Sequence, residues 1–300
     1  MGPTTCPNGA ARGAQCSEIT VSCPGLPDLN ATLGVAIPSG SLRGTIVLHG
    51  GGPGTNFLNN GFPNTYLGDG FNVVQIAWTS DWASANGAGV KSAACRPAAV
   101  FNFVFRGVHR ANRSLGFCGQ GGSGGGAALG YSLAEYGLST EFDYVLIAAG
   151  PGVSRMDYGC DPPLYTGPPL NLCPLLQDAP FAYSPGSASR TDMWEGTTTC
   201  GNSNPTQSDI DRWTADSIVT SGANYFYPHT AMSWFFCVTQ PGVNESTGQG
   251  SFLIQQVVPK NAPPDVNCYS GVCQGESVWQ DPSAFNAAVS DMLSLCAANH

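Results

Sequence analysis

Residues 117–129 read Phe117-Cys118-Gly119-Gln120-Gly121-Gly122-Ser123-Gly124-Gly125-Gly126-Ala127-Ala128-Leu129, an apolar start that breaks into glycine around one serine and continues as a helical pattern. Gly-x-Ser-x-Gly is centred on Ser123. A sharp strand-to-helix turn leaves no room for side chains two residues either side of its apex, and the helix N-terminus that follows is electropositive. A hydroxyl held there stands out into a cleft, placed as a nucleophile for acyl transfer. The same residues satisfy Gly-x-Gly-x-x-Gly through Gly119, Gly121 and Gly124, the pattern of a loop that cradles phosphate. With 39 glycines in 300 residues, pattern alone does not choose between the two.

Support for the nucleophile comes from Gly44-Thr45-Ile46-Val47-Leu48-His49-Gly50-Gly51-Gly52-Pro53-Gly54, where a β-branched run ends in His-Gly-Gly-Gly. In this order, and each after a strand-like run, the two segments resemble the α/β-hydrolases. The resemblance implies that the first loop supplies one oxyanion-hole amide and that the residue after the nucleophile supplies the other. It therefore assigns Ser123 as nucleophile with Gly51 and Gly124 as N–H donors; Pro53 has no N–H to offer. It covers residues 32–150 directly.

A serine nucleophile needs a base, and the base needs an orienting group. In the family's chain order a histidine follows the last strand, yet 267–280 contains none. The histidines are His49, His109, His229 and His300. His49 opens the oxyanion loop, where the family uses it structurally, and the other three come out on the edge opposite the strand C-termini, where ligands gather in such sheets. Glu276, in Gly275-Glu276-Ser277, occupies the base slot by position. A carboxylate accepts the serine proton if burial raises its pKa, and a second carboxyl can share that proton. Glu245, in the loop after Cys237, is the expected partner, with Asp157 as the other candidate acid. Trp78 and Trp82 follow the strand 72–77 on the active edge as an aromatic wall for acyl or alcohol groups; core packing is the competing reading, favoured for Trp78.

Charged residues are only 10% of the chain and the formal charge is −9 with 11 Lys plus Arg, so no basic surface exists for nucleic acid or an anionic membrane. Twelve cysteines without Cys-x-x-Cys read as disulfides and hence a secreted protein, expected as a mature chain lacking its targeting peptide. Sequons at Asn30, Asn112 and Asn244 agree with glycosylation. No apolar run is long enough to span a bilayer.

The elements that must position these groups alternate. Strand-like runs fall at 18–23, 32–37, 45–48, 72–77, 114–118, 144–149, 230–237 and 253–258, and helical patterns at 94–105, 124–136, 207–220 and 282–298, the last with Asp281 as N-cap before Pro282. This predicts an α/β class fold, the α/β-hydrolase fold with a mostly parallel central sheet flanked by helices, in one domain over 1–300. Residues 151–204, rich in Pro, Gly, Ser and Thr, are expected as a disulfide-pinned cap over the site; a surface ornament is the alternative.

The expected function is a secreted serine esterase acting on aryl, plant-wall acyl or polyester groups, a monomer that needs no cofactor or metal and takes a small-molecule or polymeric ester. The alternatives are a hydrolase-fold binding protein that has lost its chemistry and an aminopeptidase-like hydrolase. The nucleotide reading expects an acidic residue ending the strand 144–149, which closes on Ala148-Ala149-Gly150 instead.

Overall fold

The computed structural model describes residues 2–298 apart from Leu175, Ser203, 240–242 and 274–276. The first half of the chain runs β1 (Gly2–Thr4), β2 (Gln15–Val21), β3 (Leu29–Ala36), β4 (Gly44–His49), α1 (Phe62–Gly68), β5 (Phe71–Trp78), α2 (Val90–Ala93), α3 (Cys95–Gly107), β6 (Gly116–Gly122), α4 (Gly124–Ala134) and β7 (Tyr144–Ala148). The second half runs α5 (Met156–Cys160), α6 (Pro185–Glu195), α7 (Gln207–Asp216), β8 (Phe226–Tyr227), β9 (Ala231–Cys237), α8 (Glu245–Ile254), β10 (Val258–Pro259), β11 (Asp265–Tyr269) and α9 (Pro282–Leu295).

Among the described residues one nine-stranded sheet has the order β1-β2-β3-β5-β4-β6-β7-β9-β11. The pairs from β1 to β5 are antiparallel and those from β5 to β11 are parallel. Helices cover both faces, which is why the central strands read as unbroken apolar runs. Val47 packs with Val74, Phe101 and Leu129 on one face, while Ile46 and Leu48 pack with Phe62, Tyr66 and Met292 on the other. β4 and β6 are neighbours, with His49 opposite Gly121. The two glycine loops therefore leave the same edge of the sheet side by side.

Two sequence expectations are corrected. The strand predicted at 253–258 is the end of α8 followed by the two-residue β10, and the last strand of the sheet is β11. Its Asp-Val-Asn-Cys-Tyr sequence is polar because it is an edge strand paired only to β9, so it lacks the buried-strand signature. The strand before Ser123, β6, runs through Gly122 rather than stopping at Cys118, since pairing to β4 and β7 on both sides overrides the poor strand propensity of glycine. Gly119 and Gly121 are thus paired inside β6, which removes the phosphate-cradle reading. The Asp281 cap holds: its side chain accepts from the Ser283 and Ala284 N–H groups ahead of α9.

All twelve cysteines are paired: Cys6–Cys16, Cys23–Cys95, Cys118–Cys296, Cys160–Cys200, Cys173–Cys268 and Cys237–Cys273. Cys160–Cys200 closes the segment 151–204 on itself, and Cys173–Cys268 fastens it to β11. Within it, α6 begins at Ser184, which caps the helix, and Pro185 at its first position. No described helix is long and apolar enough to cross a membrane.

Candidate active site

Ser123 sits at the single-residue step between β6 and α4 with φ +49° and ψ −112°. A non-glycine residue rarely holds a positive φ, and the conformation persists only where its surroundings fix it. Here the Ser123 N–H donates to the Ala148 carbonyl at 2.8 Å, and its own carbonyl accepts from the Ala127 N–H at 3.0 Å. The elbow is clamped between the end of β7 and the first turn of α4. Glycine is required next to it by close approach. A Cβ on Gly124 would overlap the Gly52 carbonyl oxygen, and one on Gly125 would overlap that of His49.

Ser123 lines a cavity of about 70 Å³ together with Gly52, Trp82, Gly124, Val153 and Glu245. This is far smaller than the roughly 300 Å³ and upward of ordinary ligand pockets, so it admits a small group and leaves the rest of a ligand outside. Tyr183, Ser187, Arg190, Thr191 and Trp194, all from the segment 151–204, complete much of the wall. Among the described residues the Ser123 hydroxyl has no hydrogen-bonding partner.

The structure brings Ser123, Gly124, Trp82 and Glu245 to this one cavity. Gly51 lies against Ser123, where a Cβ would stand 3.6 Å from that of the serine, but Gly52 is the loop residue on the cavity wall. The Gly51 carbonyl accepts from the Gly54 N–H at 3.1 Å. Because the peptide plane is trans, this turns the Gly52 N–H away from the tight turn. Gly124 opens α4, so its N–H has no carbonyl within the helix to bond.

Trp78 is not on the cavity wall. It is buried, and its indole is engaged by His49, so the substrate-binding expectation for it is corrected in favour of core packing. Trp82 is buried too but reaches the wall, on a loop held by Arg96, whose guanidinium donates to the carbonyls of Trp82, Ser84 and Pro27 at 2.7–2.9 Å.

His49 is fully buried, and desolvation lowers its pKa to about 4, so it stays neutral at ordinary pH. His109 is buried beside Thr45 at the opposite edge of the sheet, and His229 is exposed just before β9 at that same edge. His300 lies outside the described residues. Asp157 is ion-paired with Arg155, whose Nε donates to its Oδ1 at 2.9 Å, and it does not line the cavity. Glu276 also lies outside the described residues. The loop that carries it is stapled at Cys273 to Cys237, the last residue of β9, so the segments following β9 and β11 are joined.

Glu245 is the first residue of α8, after Asn244, which caps it. Its Oε1 accepts from Ser184 Oγ at 2.9 Å and from Ser187 Oγ, tying α8 to α6. Sequence reasoning missed the α6 residues on the wall, although Ser184-Pro185 was a readable helix start. It also missed Glu195, the last residue of α6, which is fully buried beside Asp216 and accepts from the Val90 N–H at 2.9 Å. Burial and the neighbouring Asp216 carboxyl raise its pKa far above the usual carboxylate range. No cluster of described residues is suited to hold a metal ion.

No protein-family model matches the chain, and no curated protein matches it in sequence. Solved structures do match it. A crystal structure of puromycin hydrolase superposes with a TM-score of 0.58 at 13% identity, over 94% of this chain and 39% of that one. Brefeldin A esterase, a bacterial homologue of human hormone sensitive lipase, gives 0.51 at 16% identity over 99% of this chain and 80% of the other. EstE1, a thermophilic carboxylesterase cloned from a metagenomic library, gives 0.53 at 10% identity, covering 94% of this chain and 89% of its own. With strand order, parallel register and the strand–serine–helix step already in place, these likenesses establish the α/β-hydrolase fold. This chain spans less than half of the puromycin hydrolase it matches.

Proposed function

We propose that the protein is a serine hydrolase that cleaves carboxylic esters through an acyl-enzyme on Ser123. The observation that carries this reading is the strained serine at +49° between β6 and α4, on a cavity wall beside the loop that follows β4. Attack of the Ser123 oxygen on the ester carbonyl places negative charge on the former carbonyl oxygen. The Gly124 N–H and an N–H of the Gly51–Gly52 pair stabilise it; the turned peptide favours Gly52 over Gly51. Collapse breaks the ester C–O bond and releases the alcohol, and water then frees the acid.

The serine proton goes to a carboxylate in this reading. Glu276 follows the last strand, three residues or at most about 10 Å of chain beyond the Cys273 staple, and Glu245, already on the cavity wall, is its partner. The 151–204 segment acts as the cap, since its side chains narrow the cavity. Six disulfides favour an oxidising, extracellular setting.

A second reading, binding without turnover, is favoured by one observation: among the described residues nothing hydrogen-bonds the Ser123 hydroxyl. Fluorophosphonate labelling with peptide mapping across pH 4–9 separates the two. Label on Ser123, lost in Ser123→Ala, supports the hydrolase, and no label at any pH supports binding. Glu276→Gln or Glu245→Gln with unchanged turnover of an aryl ester rejects that carboxylate as part of the proton path.

A further inference from the structure

Helix α6 turns one face to the Ser123 cavity: Ser187, Arg190, Thr191 and Trp194, spaced i, i+3, i+4 and i+7, all stand on the wall. Trp194 is fixed from behind, its indole N–H donating to Asp81 Oδ2 at 3.2 Å. Arg190 is exposed, and among the described residues it has no hydrogen-bonding or ion-pairing partner. Its guanidinium carbon stands 6.0 Å from the Trp194 ring centroid.

Other arginines in this part of the chain are occupied. Arg155 pairs with Asp157, and Arg212 donates to the Glu195 carboxyl and the Gly87 carbonyl. The carboxylate on the same wall is occupied as well. Glu245 accepts from Ser184 and Ser187, one turn back along α6, and forms no ion pair with Arg190.

We propose that this wall recognises a carboxylate: the substrate is an ester with a short acyl group and an anionic, aromatic alcohol part, held by Arg190 and stacked on Trp194. The proposal rests on Ser123 being a hydrolase site and adds the chemical class that site takes. The 70 Å³ cavity holds only the acyl end. The alcohol part stays at the mouth, where Arg190 offers charge-assisted hydrogen bonds and the tryptophan an aromatic face.

The test separates recognition from chemistry by measuring binding to Ser123→Ala with 4-acetoxybenzoate and its uncharged amide, 4-acetoxybenzamide, by ligand-observed NMR at neutral pH and low salt. The acid is expected to bind about fivefold more tightly, a modest ratio because the charge is exposed, and the preference should shrink in high salt. In Ser123→Ala/Arg190→Gln the ratio should fall to one, and Arg190→Lys in the same background should keep part of it. Equal binding of the two esters, or a ratio that Arg190→Gln leaves unchanged, overturns the carboxylate site. Turnover by the wild-type protein is read separately. A charge preference without hydrolysis would sink the hydrolase reading and leave the anion site standing.

Discussion

The indole N–H of Trp78 donates to Nε2 of His49 across 2.9 Å, and the other ring nitrogen of His49 bonds the Gly50 carbonyl at 2.8 Å. Because Nε2 accepts, Nδ1 carries the proton, and both nitrogens are spent. The imidazole that begins the glycine loop is a neutral prop for that loop. Trp78→Phe keeps the ring packing but strips His49 of its donor, leaving a buried nitrogen unsatisfied. It should lower unfolding free energy by about 1–3 kcal/mol in denaturant titration while aryl-ester turnover stays within a few fold. A hundredfold drop in turnover with unchanged stability would instead make His49 a proton carrier.

Ser123 itself is held at +49°, a conformation glycine adopts without cost. Ser123→Gly and Ser123→Ala should both abolish turnover and labelling, but only the glycine variant relieves the backbone. Relief of about 1–3 kcal/mol, less the extra unfolded-state entropy of glycine, leaves Ser123→Gly about 1 kcal/mol more stable than Ser123→Ala. Equal midpoints in thermal unfolding would show that the elbow stores no strain.

Much of this was legible in the residues because local and tertiary signals agree there. Buried β-branched runs, the two glycine motifs and the Asp281-Pro282 helix start all describe what the chain does locally, and the mostly parallel sheet follows from alternation. What escaped is set by context. β11 is polar since only β9 covers its edge, and the last turn of α8 reads as the start of a strand over 253–258 because Leu253-Ile254 and Val257-Val258 are apolar without a visible helical period. The place of α6 escaped for another reason: its residues reach the Ser123 cavity only once the Cys160–Cys200 and Cys173–Cys268 bridges of its segment and its contact with Glu245 bring it there.

Gly125 touches the carbonyls of His49 and Gly50 so closely that any side chain must push the two glycine loops apart. Gly125→Ala should therefore cost more than the usual helix preference for alanine over glycine gives back, about 1 kcal/mol. The expected outcome is a lower melting temperature together with loss of Ser123 labelling, because the Gly51–Gly52 loop moves away from Ser123. A variant with raised stability and full labelling would show that the loop and α4 are not in contact.

Two buried groups set the pH range of stability, with opposite signs. His49 has a folded pKa of about 4 against 6.5 free, so the unfolded chain takes up its proton first and stability falls as pH drops from about 6.5 to 4. Glu195 is raised from 4.5 to about 8, so the folded chain keeps a proton the unfolded chain has lost; its contribution is complete below about pH 4.5 and disappears as pH rises to about 8. The effects are on the order of 3 kcal/mol for His49 and 5 kcal/mol for Glu195. Between about pH 4.5 and 6.5 the two slopes oppose each other and stability should be nearly flat, falling on either side. Glu195→Gln keeps an acceptor for the Val90 N–H and a donor for Asp216 but cannot titrate. Its unfolding free energy should rise from pH 4.5 to 6.5 and then hold to pH 8, while wild type declines over that last interval. Denaturant titrations of both proteins at half-unit steps decide it: parallel curves would mean that Glu195 carries no proton in the folded state.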